Sequence, residues 1–148
     1  MVEYNYVKEF IEKPIKEHWK LNSLSDFKGE TFTYADVARK IHYLHKLYRL
    51  WGVKPGDKVA LVGRNNAEWG IVYLSVISYG AVIVPILPDF SPTEIHNIVN
   101  HSDSVMLFAG EMVWGGLNQA EIPNLKAIFS ISNFNLLVSN DEESRALF

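Results

Sequence analysis

GVKPGDKVALVGRNNAEW, Gly52 to Trp69, is the stretch on which the reading of the whole chain turns. It opens on Lys54, Pro55, Gly56 and Asp57, where Pro fixes φ near about −65° and Gly accepts the positive φ that follows, the pattern of a type II turn. The apolar run from Asp57 to Gly63 then reads as a strand, and the chain from Ala67 onward has helical spacing. A strand that turns directly into a helix is half of a βα unit, and such units build parallel sheets covered by helices. The elbow between them, Gly63, Arg64, Asn65 and Asn66, admits two chemical readings. A helix N-terminus presents free N–H groups and the positive end of the helix dipole, so with Arg64 beside it the elbow could hold a phosphate or another anion. Alternatively it only turns the chain, with Asn65 capping the helix and Glu68, three residues on, completing a reciprocal capping box.

Outward from this stretch the alternation continues, with a helix over Ala67 to Tyr79, a strand over Ala81 to Leu87, a helix over Thr93 to His101 and a strand over Ser104 to Ala109. A further strand at Lys126 to Ile131 extends the series. Each strand is a nearly continuous apolar run, as expected where helices cover both faces of a sheet. The expected fold is α/β, a three-layer α/β/α arrangement on a mostly parallel sheet with right-handed crossovers. Upstream, Val7, Phe10, Ile11, Ile15 and Trp19 recur at helical spacing, so an amphipathic N-terminal helix is expected, disturbed at Pro14. A short β-hairpin follows around Lys28 and Gly29. Thr33 then caps a long helix with apolar face Val37, Ala38, Ile41, Leu44 and Tyr48, wet face Arg39, Lys40, His42, Lys46 and Arg49, and its end at Gly52. The final SNDEESRALF is acidic and shows no closing element.

Composition bounds the function. A chain of 148 residues, 48% hydrophobic and 21% charged, suits one folded domain. Its net charge of −3 supplies no basic field, so nucleic acid is not an expected partner. Without cysteine there are no disulfides, thiolate metal sites or cysteine nucleophiles. The start, MVEYNYVKEF, lacks the pattern of a secretory leader, which makes the expected location cytoplasmic, with peripheral attachment to a membrane still compatible. Trp69 to Pro88 runs twenty residues without a charge, long enough to span a bilayer as one helix. Gly80 and Pro85 interrupt it, so a buried helix followed by a buried strand is expected instead of a transmembrane span.

The common catalytic motifs are missing. No G-x-x-x-x-G-K-S/T follows a strand, Gly110, Gly115 and Gly116 are wrongly spaced for G-x-G-x-x-G, and no G-x-S-x-G elbow occurs. Ser75 and Ser78 lie inside an apolar helix. His42 and His45, three apart on a helix, could share a metal, but they point to different faces and have no third ligand nearby. His96 and His101 are separated around their helix, which favours solvated or capping roles. Asp141, Glu142 and Glu143 form a terminal run of like charge, usually a solvated one. No catalytic, cofactor-binding or metal-ligating residue is assigned.

Taken together, ETFTYADVA (Glu30 to Ala38), WGVKPGDKVALVGRNNAEW (Trp51 to Trp69), YGAVIVPILPDFSPTEI (Tyr79 to Ile95) and VNHSDSVMLF (Val99 to Phe108) resemble, in order and spacing, the amino-terminal portion of AMP-forming acyl-CoA synthetases. The T-Y-x-E-L motif of that adenylate-forming superfamily corresponds to Thr33 to Val37, and its G-A-x-x-x-P-L/I motif to Gly80 to Ile86. The likeness is strongest to long-chain fatty acid CoA ligases and covers nearly the whole chain. It implies ATP-dependent activation of a fatty acid to an acyl-adenylate, followed by thioester formation with CoA, with ATP, Mg²⁺ and CoA as cofactors of the full-length enzyme. It also implies that residues 1–148 are a scaffold subdomain whose partner is the remainder of the ligase chain. The Ser/Thr/Gly-rich phosphate loop ending in P-K-G, the acidic metal ligand and the lid lysine that do the chemistry in such enzymes have no counterpart here; the nearest Ser-rich run, SISNFNLLVSN, has no Gly or Lys. The chain alone is therefore expected to be inactive, and the elbow at Arg64 is a weaker candidate for an ATP site. Surface left uncovered near Phe134, Leu136, Leu137 and Val138 should make it self-associate. The alternative is a free-standing α/β binding or interaction module that has lost the catalytic portion.

Overall fold

The computed structural model describes residues 5–147. Met1 to Tyr4, which carry part of the leader reading, and Phe148 lie outside them. After a π-helical segment Lys8–Glu12 come α1 (Lys13–Glu17), the hairpin strands β1 (Asn22–Ser25) and β2 (Thr31–Thr33), and α2 (Tyr34–Leu50). Then β3 (Lys58–Val62), α3 (Ala67–Tyr79), β4 (Val82–Ile86), α4 (Pro92–His101) and β5 (Ser104–Ala109) alternate. The chain finishes with α5 (Glu111–Trp114), a 3₁₀ turn Gln119–Glu121, β6 (Ala127–Ser130), β7 (Leu136–Ser139) and α6 (Glu142–Leu147).

The main sheet has the order β4-β3-β5-β6-β7. Its first four strands are parallel and β7 returns antiparallel to β6. Alternate side chains leave opposite faces of a strand. Val59, Leu61, Met106, Phe108, Ala127 and Phe129 enter one core with α2 and α3, while Ala60, Val62, Leu107, Ala109 and Ile128 enter a second with Ile95 and Val99 of α4. Two cores explain why β3 is apolar from Val59 to Val62 and β5 from Val105 to Ala109, and they establish the three-layer α/β architecture.

β4 departs from the sequence reading. It was expected to be buried on both faces, yet it is the sheet edge, with Val82 47% exposed and Pro85 open to solvent. Pairing explains the proline. Val82 lies opposite Lys58 and donates its N–H to the Asp57 carbonyl at 2.8 Å, so in a parallel ladder Val82, Val84 and Ile86 bond inward. Ile83 and Pro85 then turn their backbone outward, and Pro85 stands where no partner needs an N–H. The same residue blocks the addition of a further strand at the open edge.

The N-terminal helix is disturbed at Pro14 as expected: helical backbone runs on from the π-helical segment, in which the Lys13 N–H donates to the Lys8 carbonyl, and Pro14, which has no N–H, stands where the wider π turn gives way to α1. Ile11 is buried, but Phe10 is 64% exposed and Trp19 lies beyond the helix, with the Arg39 guanidinium over its ring. At the other end, SNDEESRALF does close with an element: α6 begins where Asp141 accepts hydrogen bonds from the Ser144 N–H and hydroxyl. Phe134, expected to lie uncovered, is buried at positive φ of 58°, edge-on to Phe108 and stacked with Tyr43.

Candidate functional site

From β3 the chain crosses to β4 on one side, then returns past β3 to β5 on the other. The carboxyl ends of β3 and β5 are thus the point where the winding reverses, the place at which open α/β sheets form a crevice. Gly63 and Gly110 follow these two strands. The Gly110 N–H donates to the Val62 carbonyl at 2.9 Å, and a Cβ on Gly63 would meet Ile131 Cδ1 at 2.5 Å. At Gly63 a side chain would have to push the Ile131 methyl aside, whereas a Cβ on Gly110 would lie 3.5 Å from Gly63 Cα in ordinary contact, so it is Gly63 that keeps the floor between the turns clear.

Above that floor lies a cleft of about 440 Å³. Pro88, Phe90, Pro92 and Ile95 form one wall, Met112 and Val113 the other, with Ser132 at the β6 end. Its charged residues are Arg64, Asp89 and Glu111. Arg64 is exposed and makes no ion pair among the described residues, so its guanidinium is available to an anionic group entering the cleft. The arrangement is apolar with a few converging polar groups, as binding clefts usually are.

The elbow turns out to hold an anion already. The Ala67 N–H, in the first turn of α3, donates at 2.8 Å to Asp26 Oδ1, a carboxylate carried there by the β1–β2 hairpin. Asn66, not Asn65, is the N-cap, its Oδ1 accepting from the Trp69 N–H at 2.8 Å. With the cap shifted by one residue, Glu68 cannot reach back as a box partner. It is buried, with Oε1 3.9 Å from Lys40 Nζ. The sequence offered no sign of Asp26 because its partner lies on a different element.

The other two main helices show what the box reading would have required. In α2, Thr33 Oγ1 accepts from the Asp36 N–H at 3.2 Å while the Thr33 N–H donates to Asp36 Oδ2 at 3.0 Å. In α4, Ser91 and Glu94 repeat this reciprocal pair. The Thr33 hydroxyl and N–H hold the Asp36 carboxyl below its ordinary range, and Ser91 does the same for Glu94. Sequence reasoning began α4 one residue late at Thr93, although Ser91-x-x-Glu94 carries the signal.

No group of three or more His, Asp or Glu able to hold an ion exists among the described residues. His42 is exposed, whereas His45 turns into the α2–α3 contact. His96, read from sequence as solvated or capping, is buried, and its Nε2 accepts the Asn118 N–H at 3.1 Å. His101 is exposed in the last turn of α4, where a basic residue suits the helix dipole. Asp141, read as part of a solvated acidic run, caps α6 instead, and the bonds from Ser144 lower its carboxyl pKa. Trp69 to Pro88 is a helix followed by a strand, and no helix among the described residues is long and apolar enough to cross a membrane.

Sheet order and cleft define a class: an open, doubly wound α/β domain with a crevice at the carboxyl ends of its strands. Comparison with known proteins narrows it. The model of the AMP-binding enzyme family matches residues 12–145, and the chain belongs to that family. It is 40% identical over 77 residues to a long-chain-fatty-acid–CoA ligase of Thermus thermophilus, covering 51% of this chain and 14% of that one. It is also 27% identical over 105 residues to surfactin synthase subunit 2 of Bacillus subtilis, covering 71% of this chain and 3% of the relative. Among solved structures, an anthranilate CoA ligase in complex with anthranoyl-AMP superposes with a TM-score of 0.80 at 20% identity, over 88% of this chain and 25% of that chain. Coronafacic acid ligase from Pectobacterium brasiliense gives 0.79 at 20% identity over 93% and 27%. The chain thus spans a small part of the length of each of these proteins.

Proposed function

We propose that this chain is the amino-terminal scaffold of an AMP-forming CoA ligase of the long-chain fatty acid branch, acting together with a catalytic remainder. In that reading a fatty acid carboxylate attacks the α-phosphorus of ATP and releases pyrophosphate, and the thiol of CoA then displaces AMP from the acyl-adenylate. ATP, Mg²⁺ and CoA are the cofactors this chemistry requires. Bringing two anions together needs cationic and N–H donors held in place, and none of the residues described above is assigned a bond-making role. What the chain contributes is the sheet, the two-glycine floor and a cleft whose free cation, Arg64, meets an anionic part of the ligand. The observation that carries the reading is the family match over residues 12–145, and the likeness to the Thermus ligase favours fatty acids over aryl or amino acids.

A graft tests it. Residues 12–145 are placed in the Thermus thermophilus ligase in place of the matching segment, and acid-dependent exchange between pyrophosphate and ATP is measured. Exchange is expected with long-chain fatty acids from the graft and none from the isolated chain. A graft that melts cooperatively but is inert, or exchange by the isolated chain above a heat-killed control, overturns the scaffold reading. A parallel graft into the anthranilate ligase is expected to be less active; equal activity there would remove the fatty acid assignment and leave the family.

A further inference from the structure

α3 is an apolar helix with two serines in its interior, and the structure shows what they face. His45 Nε2 lies 2.9 Å from the Ser75 carbonyl and 3.1 Å from Ser78 Oγ. One turn on, the Tyr48 hydroxyl is 2.6 Å from Ser75 Oγ, which itself donates to the Val72 carbonyl at 2.7 Å. The His45 ring packs against Tyr79, with centroids 5.4 Å apart, and the Tyr79 hydroxyl donates to the Val53 carbonyl at 2.8 Å. These groups form a continuous polar seam that joins α2 to the second half of α3. A carbonyl can only accept, so Nε2 carries the hydrogen and, in the neutral ring, Nδ1 does not.

We propose that this seam is an acid-released clasp: protonation of His45 loosens the second half of α3, and β4 with it, while β5 at the centre of the sheet holds. The charged groups acting on the ring lie on its own helix and are unfavourable to a second charge, Arg49 and His42. From α3 the ring meets Ser75, Ser78 and Tyr79 and no carboxylate. Glu68, the one acidic residue of α3, sits at the far end of the helix beside Lys40. An imidazolium made in the seam would have a hydrogen-bond acceptor but no counter-charge, and hydration is the alternative open to it. Partial burial accordingly holds the His45 pKa below its ordinary 6.5, the desolvation outweighing the bond to Ser75. A ring with a lowered native pKa stabilises the closed seam fully above 6.5, and that stabilisation is lost as pH falls below 6.5 toward the native value. α3 contacts β4 directly and leads into it through Gly80, so the edge strand is the next element to feel the opening.

Hydrogen exchange on the intact chain, corrected for the intrinsic pH dependence of exchange, reads this locally. Between about pH 7.5 and about pH 5.5, the range in which histidine changes charge, the amides of Val76, Ile77, Ser78 and Tyr79 are expected to lose protection while those of Leu107 and Phe108 in β5 keep theirs. His45→Gln retains a neutral N–H donor for the Ser75 carbonyl and should abolish the difference, and His101→Gln, exposed on α4, should leave it as in the wild type. Unchanged protection of the α3 amides in the wild type, or the same loss in His45→Gln, overturns the proposal. If His45→Gln does not fold, an NMR titration of the wild-type ring decides: an apparent pKa at or above 6.5 overturns it, and one below supports it.

Discussion

On one face of the sheet, α2 and α3 press Leu44, Tyr48, Ile71 and Val76, all at 0% exposure, onto Phe108 and Phe129. On the other, α4 offers Ile95 and Val99, and the short α5 with Val113 and Trp114 and the turns carrying Ile122 and Leu125 supply the rest of the cover. Helices of 17 and 13 residues close the first face, and one of 10 closes the second. The two long helices close the first face over the middle strands with side chains at 0% exposure. The face covered by one long helix, the short α5 and turns leaves its carboxyl end open, and the cleft forms there. Rigidity and access are thus divided between the two sides of the same strands.

The sharpest way to test this division is to open a cavity on each side. Leu44→Ala, on the closed face, should destabilise the chain by about 2 to 5 kcal/mol in urea unfolding. Val99→Ala, on the open face, should lose about 1.5 to 2 kcal/mol, near the transfer value alone, because short turns can settle into the space. Equal losses would break the comparison.

Two glycines sharpen it next. Gly63→Val drives a side chain into Ile131 at the cleft floor, and Gly56→Val meets nothing within 4 Å but must adopt a φ of 86°. Each should destabilise by about 1 to 3 kcal/mol, the first by overpacking and the second by backbone strain. Only Gly63→Val should alter the cleft, read as changed chemical shifts at Glu111 and Ser132.

Acid separates the capping carboxylates from the seam. Asp36, Glu94 and Asp141 all have lowered pKa values, so their stabilisation is complete above the ordinary 3.8 to 4.5 and is lost only as pH falls below it. In His45→Gln, urea midpoints should therefore fall less than in the wild type between neutral pH and that lower window. An equal decline in this variant would locate the sensitive group elsewhere. The smallest effect belongs to Arg64→Ala, which should change stability by less than about 0.5 kcal/mol because the side chain is exposed and unpaired. A loss well above that would make the elbow cation structural.

The βα alternation was legible because β3, α3 and β5 are long, uniformly apolar or strongly periodic, and bounded by Gly and Asn. α3 and β5 fall on the residues the pattern predicts, and the turn at Lys54 to Asp57 has its positive φ at Gly56 and its closing bond from the Asp57 N–H to the Lys54 carbonyl. What could not be read were properties of pairing in space. An apolar run such as Val82 to Leu87 looks the same at a sheet centre and at its edge until the strand order is known; only Pro85 hinted at the answer. β7 and the burial of Phe134 were missed because a short strand behind SISNF lacks a helix to announce it. The cleft was half legible. Its elbow was singled out, but the opposing wall at Glu111 to Gly116 and the occupation of the α3 N-terminus by Asp26 depend on segments brought together by the crossover.

That last contact has a kinetic side. The cap of α2 joins residues three apart, whereas the bond from Ala67 to Asp26 closes a loop across 41 positions. Loop closure carries an entropic barrier that a local cap does not, so α2 can acquire its cap while the chain is still open and α3 acquires this part of its own only after the hairpin has docked. Stopped-flow measurements should register the difference: Thr33→Ala mainly slows folding, and Asp26→Ala mainly speeds unfolding. A carboxylate that looks like one more surface acid at a hairpin tip would then act as a late-closing latch, holding the folded state by its lifetime more than by its rate of formation.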